Sequence, residues 1–278
     1  MDVVLAQKRR IRSSVAAGMF YPEDETEMLK LFSSFGMEEG GGGYAQAIIA
    51  PHGAWSYSGE LVANAFFSAM GRRNRIKKVV VLGPIHDKRE DGLFLSNSHS
   101  FHTPLGNISV DRDISEQLEF AGRHFEINDI PHLGEHSIEI LLPFVKYCFP
   151  AASIVPVLMG HPMACYIHDL AHALKTVITP VLDETLIVVS CNLSCDNDCH
   201  TARLLAEECL KLFSERNITD LTSGILDGRL NPCGGALVVS LFESGLLDKT
   251  RNCYVADNMK SAVGMENNTV FYSEVSFV

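Results

Sequence analysis

The sequence predicts a three-layer α/β/α fold with a largely parallel central sheet, and two observations carry the prediction. Short runs rich in Val and Ile recur along the chain, several of them apolar without interruption, as strands covered on both faces are. Between them lie longer stretches with helical periodicity, the alternation that builds a parallel α/β sheet. Strand runs fall at residues 46–50, 78–82, 92–95, 153–159, 185–190 and 269–277. Helical patterns occupy 23–35, 59–70, 113–121, 137–148, 164–177, 200–214 and 234–243. The stretch "EEGGGGY" at 38–44 reads as a flexible linker into the first core strand. No internal repeat interrupts this order, so a single domain over 1–278 is expected.

Composition narrows the function. Hydrophobic residues make up 46% and charged residues 21%, which supports a sizeable core. A formal net charge of −11 argues against nucleic acid as the main partner. The basic run "GRRNRIKK" at 71–78 reads as a solvated helix end. No run reaches the roughly 18 apolar residues of a membrane span. The start "MDVVLAQKRRIRSS" lacks a leader's apolar stretch, so no membrane contact and a cytoplasmic location are expected. Eight scattered cysteines then read as reduced thiols.

The chemistry-bearing residues cluster at strand ends, where open α/β sheets bind ligands. His52 follows the first core strand in "AIIAPHGAWSYSG", and His86 follows the second in "VVVLGPIHDKRED". Each turn carries a proline, Pro51 or Pro84, which stiffens it. Adjacent strands lie about 5 Å apart, close enough to bring two imidazoles together as ligands for Fe, Cu or Zn. Asn192 and Cys195 follow a third strand in "TLIVVSCNLSCDND". In "HLGEHSIEILLPF", Glu135 and His136 stand at the start of an apolar-faced helix. Glu135 there is either structural or functional, and His136 is a candidate proton shuttle. Cys233, just before a helical pattern, is the best thiolate candidate. Cys191, Cys195, Cys199 and His200 offer a weaker alternative, a structural zinc site. Trp55 and Tyr57 either wall the crevice or pack in the core.

Four of these stretches, in this order, resemble the Memo family, the Memo-like component of the AmmeMemoRadiSam group. "SSVAAGMFYPEDETEMLKLF" is similar to its N-terminal segment, "AIIAPHGAWSYSG" to its IIAPHAGYTYSG-type signature and "VVVLGPIHD" to its LGPSHH. "GEHSIEILLPF" followed by "IVPVLMG" is nearly the family pattern. The resemblance implies the fold of class III extradiol dioxygenases and one non-haem ion held by His52, His86 and a cysteine. That cysteine is Cys233 or, in another register that leaves Leu230 in its place, absent, with Cys195 a further ligand candidate. Asp87 stands where the family has a second histidine. Asn192 and Cys195 stand where it has an aspartate and a histidine. The expected function is therefore metal-dependent redox or dioxygenase-like chemistry on a small molecule, with His136 catalytic. Trp55, Tyr57, Asp87, Glu135 and Asn192 would line the substrate site. The alternative is an adaptor that keeps the crevice for a peptide or protein partner.

Overall fold

The computed structural model describes residues 10–37, 41–87, 89–256, 259–263 and 268–278. In chain order the elements are β1 (Ile11–Arg12), α1 (Glu25–Ser34), β2 (Ala47–Ala50), α2 (Trp55–Phe67), β3 (Lys78–Pro84), β4 (Leu93–Leu95), β5 (Ser100–Phe101), β6 (Ile108–Ser109), α3 (Arg112–Ala121), β7 (Phe125–Ile127), α4 (Ile130–Gly134), α5 (Leu142–Cys148), β8 (Ser153–Met159), α6 (Ala164–Ile178), β9 (Thr185–Ser190), β10 (Ser194–Asp196), α7 (Cys199–Glu215), α8 (Ile218–Leu226), α9 (Gly235–Glu243), β11 (Cys253–Val255), β12 (Lys260–Val263), β13 (Thr269–Tyr272) and β14 (Val275–Phe277).

The main sheet has the order β11-β14-β2-β9-β3-β8-β4-β7. Its four middle strands, β2, β9, β3 and β8, are parallel neighbours. Alternate residues of each strand enter different cores, as a pleated strand requires. Ile49, Val80, Leu82, Val155 and Val189 face the core shared with α3, α6, α7 and α9. Ile48, Val79, Val81, Ile154 and Val188 face the one shared with α1, α2 and α5. This is the expected three-layer α/β/α arrangement. Among the described residues, no helix is long and apolar enough to cross a membrane.

Four sequence expectations need correction. The run 269–277 is two strands in two sheets: β13 pairs β10 and β12, while β14 crosses to pair β2 and β11. A continuous apolar pattern does not reveal a strand that changes sheets. Helix α2 begins a turn early, at Trp55, because Trp55 N–H donates to the Phe20 carbonyl (2.9 Å) and is already satisfied. Of the supposed linker, residues 38–40 lie outside the described residues, and the rest docks on the end of α2. There Gly43 N–H donates to Phe67 O (3.1 Å) and Ala45 N–H to Ser68 O (2.9 Å). Finally, Arg72 in the basic run is buried, with its guanidinium on the carbonyls of Ala45, Asp183 and Thr185. Satisfying orphan carbonyls is its work, which a charge count does not disclose.

At the β13–β14 crossing, Ser273 Oγ and Glu274 Oε2 are buried without a hydrogen-bond partner among the described residues. Burial pushes the Glu274 carboxyl from 4.5 up to about 7. A folded-state value above the unfolded one contributes stability below pH 4.5 that is lost as pH rises through about 7. Glu274→Gln, which cannot ionise, should remove that decline. Urea unfolding at pH 5 and pH 8 should show the wild type losing on the order of 1 kcal/mol relative to the variant. Parallel pH profiles would refute this.

Candidate metal centre

The parallel register of the middle strands sets the site. Ala50 at the end of β2 pairs with Ser190 at the end of β9, and Leu82 of β3 pairs with Val189. The residues just beyond these ends, His52, Asn192 and His86, therefore emerge together. Asn192 joins two of the loops: its Oδ1 accepts from His52 N–H and its own N–H donates to Cys233 O, both at 3.0 Å. Cys233 itself sits before α9 in a turn completed by Gly234 at φ +105. A Cβ on Gly234 would lie 2.2 Å from Ser190 O, so only glycine lets this turn close on the end of β9.

His52, His86 and Cys233 each offer a ligand atom within 4.8 Å of the other two. His52 is 2% exposed, and its Nδ1 lies 2.8 Å from Ser190 Oγ. The Ser190 hydroxyl hydrogen goes to Ser137 O (2.7 Å), so Ser190 accepts from the ring and Nδ1 carries the proton. Nε2 is left with a bare lone pair, buried and, among the described residues, without a partner. Burial, then the charges of His86 and His136, hold His52 well below its ordinary pKa, so it is neutral.

His86 is fixed by Glu135, whose carboxylate accepts from His86 N–H (2.7 Å) and His86 Nδ1 (3.0 Å). The same carboxylate accepts from the backbone N–H of His136 and of Ser137, both at 2.7 Å. Burial opposes its charge, but the bonds from His86 and the backbone outweigh burial and hold it well below the ordinary carboxylate range. Glu135 accepts only, so His86 Nδ1 is protonated and Nε2 faces Cys233 Sγ at 3.5 Å. An ion bound tetrahedrally at about 2.0–2.1 Å to nitrogen and 2.3 Å to sulfur sets an N···S edge of about 3.5 Å. His52 thus offers a bare Nε2. Burial works against a charge on His86, but its bonds to Cys233 and Glu135 raise its pKa to about 10, so it would give up its Nε2 proton on binding. With Cys233 Sγ the set then fits a first-row metal. A second group, His86, Glu135 and His136, also lies within 4.8 Å. It fits less well, because the Glu135 carboxylate is already spent on four N–H donors.

His136 stacks on His86, with ring centroids 4.5 Å apart and planes 17° apart, and on Phe20 at 4.7 Å. Burial and then the His86 charge lower its pKa. The other expected site residues stand further out. Cys195 lies on β10, its backbone clasped by the Asn231 amide, and belongs to neither ligand group. Trp55 is buried against Tyr21, Phe32 and Phe144, which is core packing. Tyr57 is half exposed. Asp87 is exposed and paired with Arg89. Leu230 is buried in the α7–α9 core and offers no ligand atom. Cys191 is buried and Cys199 exposed. Among the described residues no ligand group gathers Cys191, Cys195, Cys199 and His200, so the zinc alternative falls. Glu135 is not at a helix start: it ends α4 in extended conformation and uses local N–H groups instead of a helix dipole.

Sequence reasoning missed Ser190, which fixes the His52 tautomer; a serine closing an apolar run was the available signal. It also missed Arg12 and Glu139. They form a buried ion pair, with Arg12 Nη2 donating to Glu135 O (2.8 Å) and Nε to His132 O (2.9 Å). Glu139 also accepts from the N–H of Val15 and Ala16 and from the Tyr21 hydroxyl.

Comparison with known proteins gives a consistent picture. A family model described as "Memo-like protein" matches residues 12–271. A MEMO1 family protein of Methanobrevibacter smithii is 27% identical, over 86% of this chain and 89% of its own length. One from Pyrobaculum aerophilum is 25% identical over 96% and 99%. A protein memo-1 homolog of Caenorhabditis elegans is 34% identical over 54% of this chain and 43% of its own. Among solved structures, an uncharacterized protein of Escherichia coli K12 aligns with a TM-score of 0.47 at 12% identity, covering 82% of this chain and 98% of that one.

Removing one partner of a buried ion pair leaves the other charge uncompensated. Glu139→Gln should therefore destabilise the protein by roughly 3–5 kcal/mol in denaturant titration, because Arg12 stays buried and charged. A loss below about 1 kcal/mol, the range of an exposed pair, would show that the network is not what holds the site loop.

Proposed function

The chain belongs to the family of Memo-like proteins, and on that premise we propose that it is a mononuclear metal protein with redox chemistry at its strand-end crevice. His52, His86 and Cys233 would hold one Fe or Cu ion. The observation that carries the reading is His52 Nε2, a buried lone pair with no partner among the described residues, which converges with His86 and Cys233. An orphaned buried acceptor costs about 1–3 kcal/mol, a cost that a bound ion turns into a gain. A redox metal supplies one-electron chemistry and Lewis acidity to a small-molecule substrate.

This chain's own residues do the rest. Ser190 and Glu135 hold the two imidazoles by Nδ1, so that His52 Nε2, and His86 Nε2 once it gives up its proton, would face the ion, the orienting role that polar groups behind ligands commonly play. Asn192 keeps the His52 and Cys233 loops in register without adding charge. His136, with its pKa lowered, accepts or returns a proton at the crevice edge.

Metal content of anaerobically purified protein, prepared without an affinity metal column, tests the reading. The wild type should hold about one equivalent of Fe or Cu, and His52→Ala essentially none. Cys195→Ala should retain it. Ser190→Ala, which frees the His52 tautomer, should weaken binding by about 10–100-fold. A wild type that takes up no metal even after reconstitution would sink the proposal.

A further inference from the structure

One element of the crevice wall comes from far away in sequence, and its placement is independently braced. Residues 16–21 form a tight turn in which Phe20 N–H donates to Ala16 O (2.9 Å) and Gly18 N–H to Tyr21 O (2.8 Å). The turn is pinned at both ends to one buried carboxylate, since Glu139 accepts from Ala16 N–H (2.8 Å) and from the Tyr21 hydroxyl (2.7 Å). A third tie runs from the Phe20 carbonyl to the first N–H of α2. Phe20 is thus held at the apex of a fixed turn, half buried, its ring 4.7 Å from that of His136 with planes 29° apart. His86 also stacks on His136, at 4.5 Å with planes 17° apart. Phe20 also lines a groove of about 520 Å³ with Met19, Leu31 and Trp55, so part of its surface is open.

We infer that Phe20 is a positioning residue: with His86 it clamps the His136 imidazole between two rings, so that His136 presents its edge to the crevice. Two parallel ring contacts exclude the alternative side-chain rotamers, which would swing the imidazole face outward. The hydrogen bonds around His136 do not do this alone. Its backbone N–H is held by Glu135, but the ring's nearest anionic contact, Nδ1 to Glu135 Oε1, is 3.4 Å. The functional value of the clamp rests on the site reading above, whereas its geometry does not.

The test uses the full chain, metal-free and with one equivalent of Zn(II), in wild type, Phe20→Leu and Phe20→Tyr. The His136 ring protons, assigned by comparison with His136→Gln, should lie upfield of those of exposed histidines. Phe20→Leu should move them downfield and raise the rate of His136 carbethoxylation several-fold, read by peptide mass spectrometry. Phe20→Tyr, which keeps the ring, should restore both. Unchanged shifts and rate in Phe20→Leu would overturn the clamp. Should Phe20→Leu fail to fold, the wild-type spectrum decides: cross-relaxation between the Phe20 and His136 ring protons supports the clamp, and its absence refutes it. Zn(II) uptake by the wild type, measured in parallel, reports on the metal site alone, so the two readings fail separately.

Discussion

The site depends on one buried anion. Glu135 accepts from four N–H groups, one a ring N–H and three on the backbone of His86, His136 and Ser137. Desolvation works against a carboxylate in such a place, and hydrogen bonds to the charged form must exceed it for the charge to stay. Here they do. Because the bonds come from two loops, that after β3 and that before α5, a single charge fixes both backbone paths and the His86 imidazole. An apolar residue in its place would leave three backbone donors orphaned, which costs more than any packing gained.

Behind this anion stands a second layer built on the same physics. The Glu135 carbonyl is held by Arg12, and Arg12 by Glu139. Buried ion pairs are poor stabilisers compared with apolar residues of similar size. What this one contributes is position. Glu139 gathers the N–H groups of Val15 and Ala16 and the Tyr21 hydroxyl, so residues 12–21 are docked against the crevice at defined points. Phe20 reaches His136 only because that docking is rigid. The chain from Glu139 to Phe20 to His136 links a buried charge to the orientation of a ring at the site.

How much of this was legible follows from the range of each interaction. Polar residues just past apolar runs marked His52, His86 and Asn192, because strand ends are a local feature and a parallel sheet brings them together. Cys233 was legible from its place before a helical pattern. The central strands were legible for the same reason, through their continuous burial. The orienting groups were not. Ser190 gains its role from Ser137, 53 positions earlier, and Arg12 meets Glu139 across 127 positions. Nothing in the local pattern of "IRSS" separates a buried arginine from an exposed one. Trp55, read as either a crevice wall or a core residue, packs on Tyr21, Phe32 and Phe144, a choice that required knowing where residues 16–21 lie.

The departures from the family pattern fall outside the donor set, and this bears on what they change. Asn192 uses its amide oxygen on His52 N–H, a bond that a carboxylate would also make. Asparagine in its place therefore preserves the loop and removes a charge beside a neutral imidazole. Cys195 lies on β10, near Tyr272, whose phenol burial and then the Cys195 and Tyr57 charges push up to about 12. The end of the Tyr272 ring lies over Gly53, where an added Cβ would stand 2.8 Å from it. That wall thus carries Tyr272, a phenol that burial keeps protonated, beside Cys195, which stands where the family has a histidine. His52 and His86 keep their orienting partners, while the Cys195 position lacks the imidazole that the family has there. Under the proposed reading, proton handling then falls to His136, the one imidazole of the cluster outside the donor set. This makes the orientation of its ring, and so the turn that carries Phe20, part of the chemistry as well as of the fold.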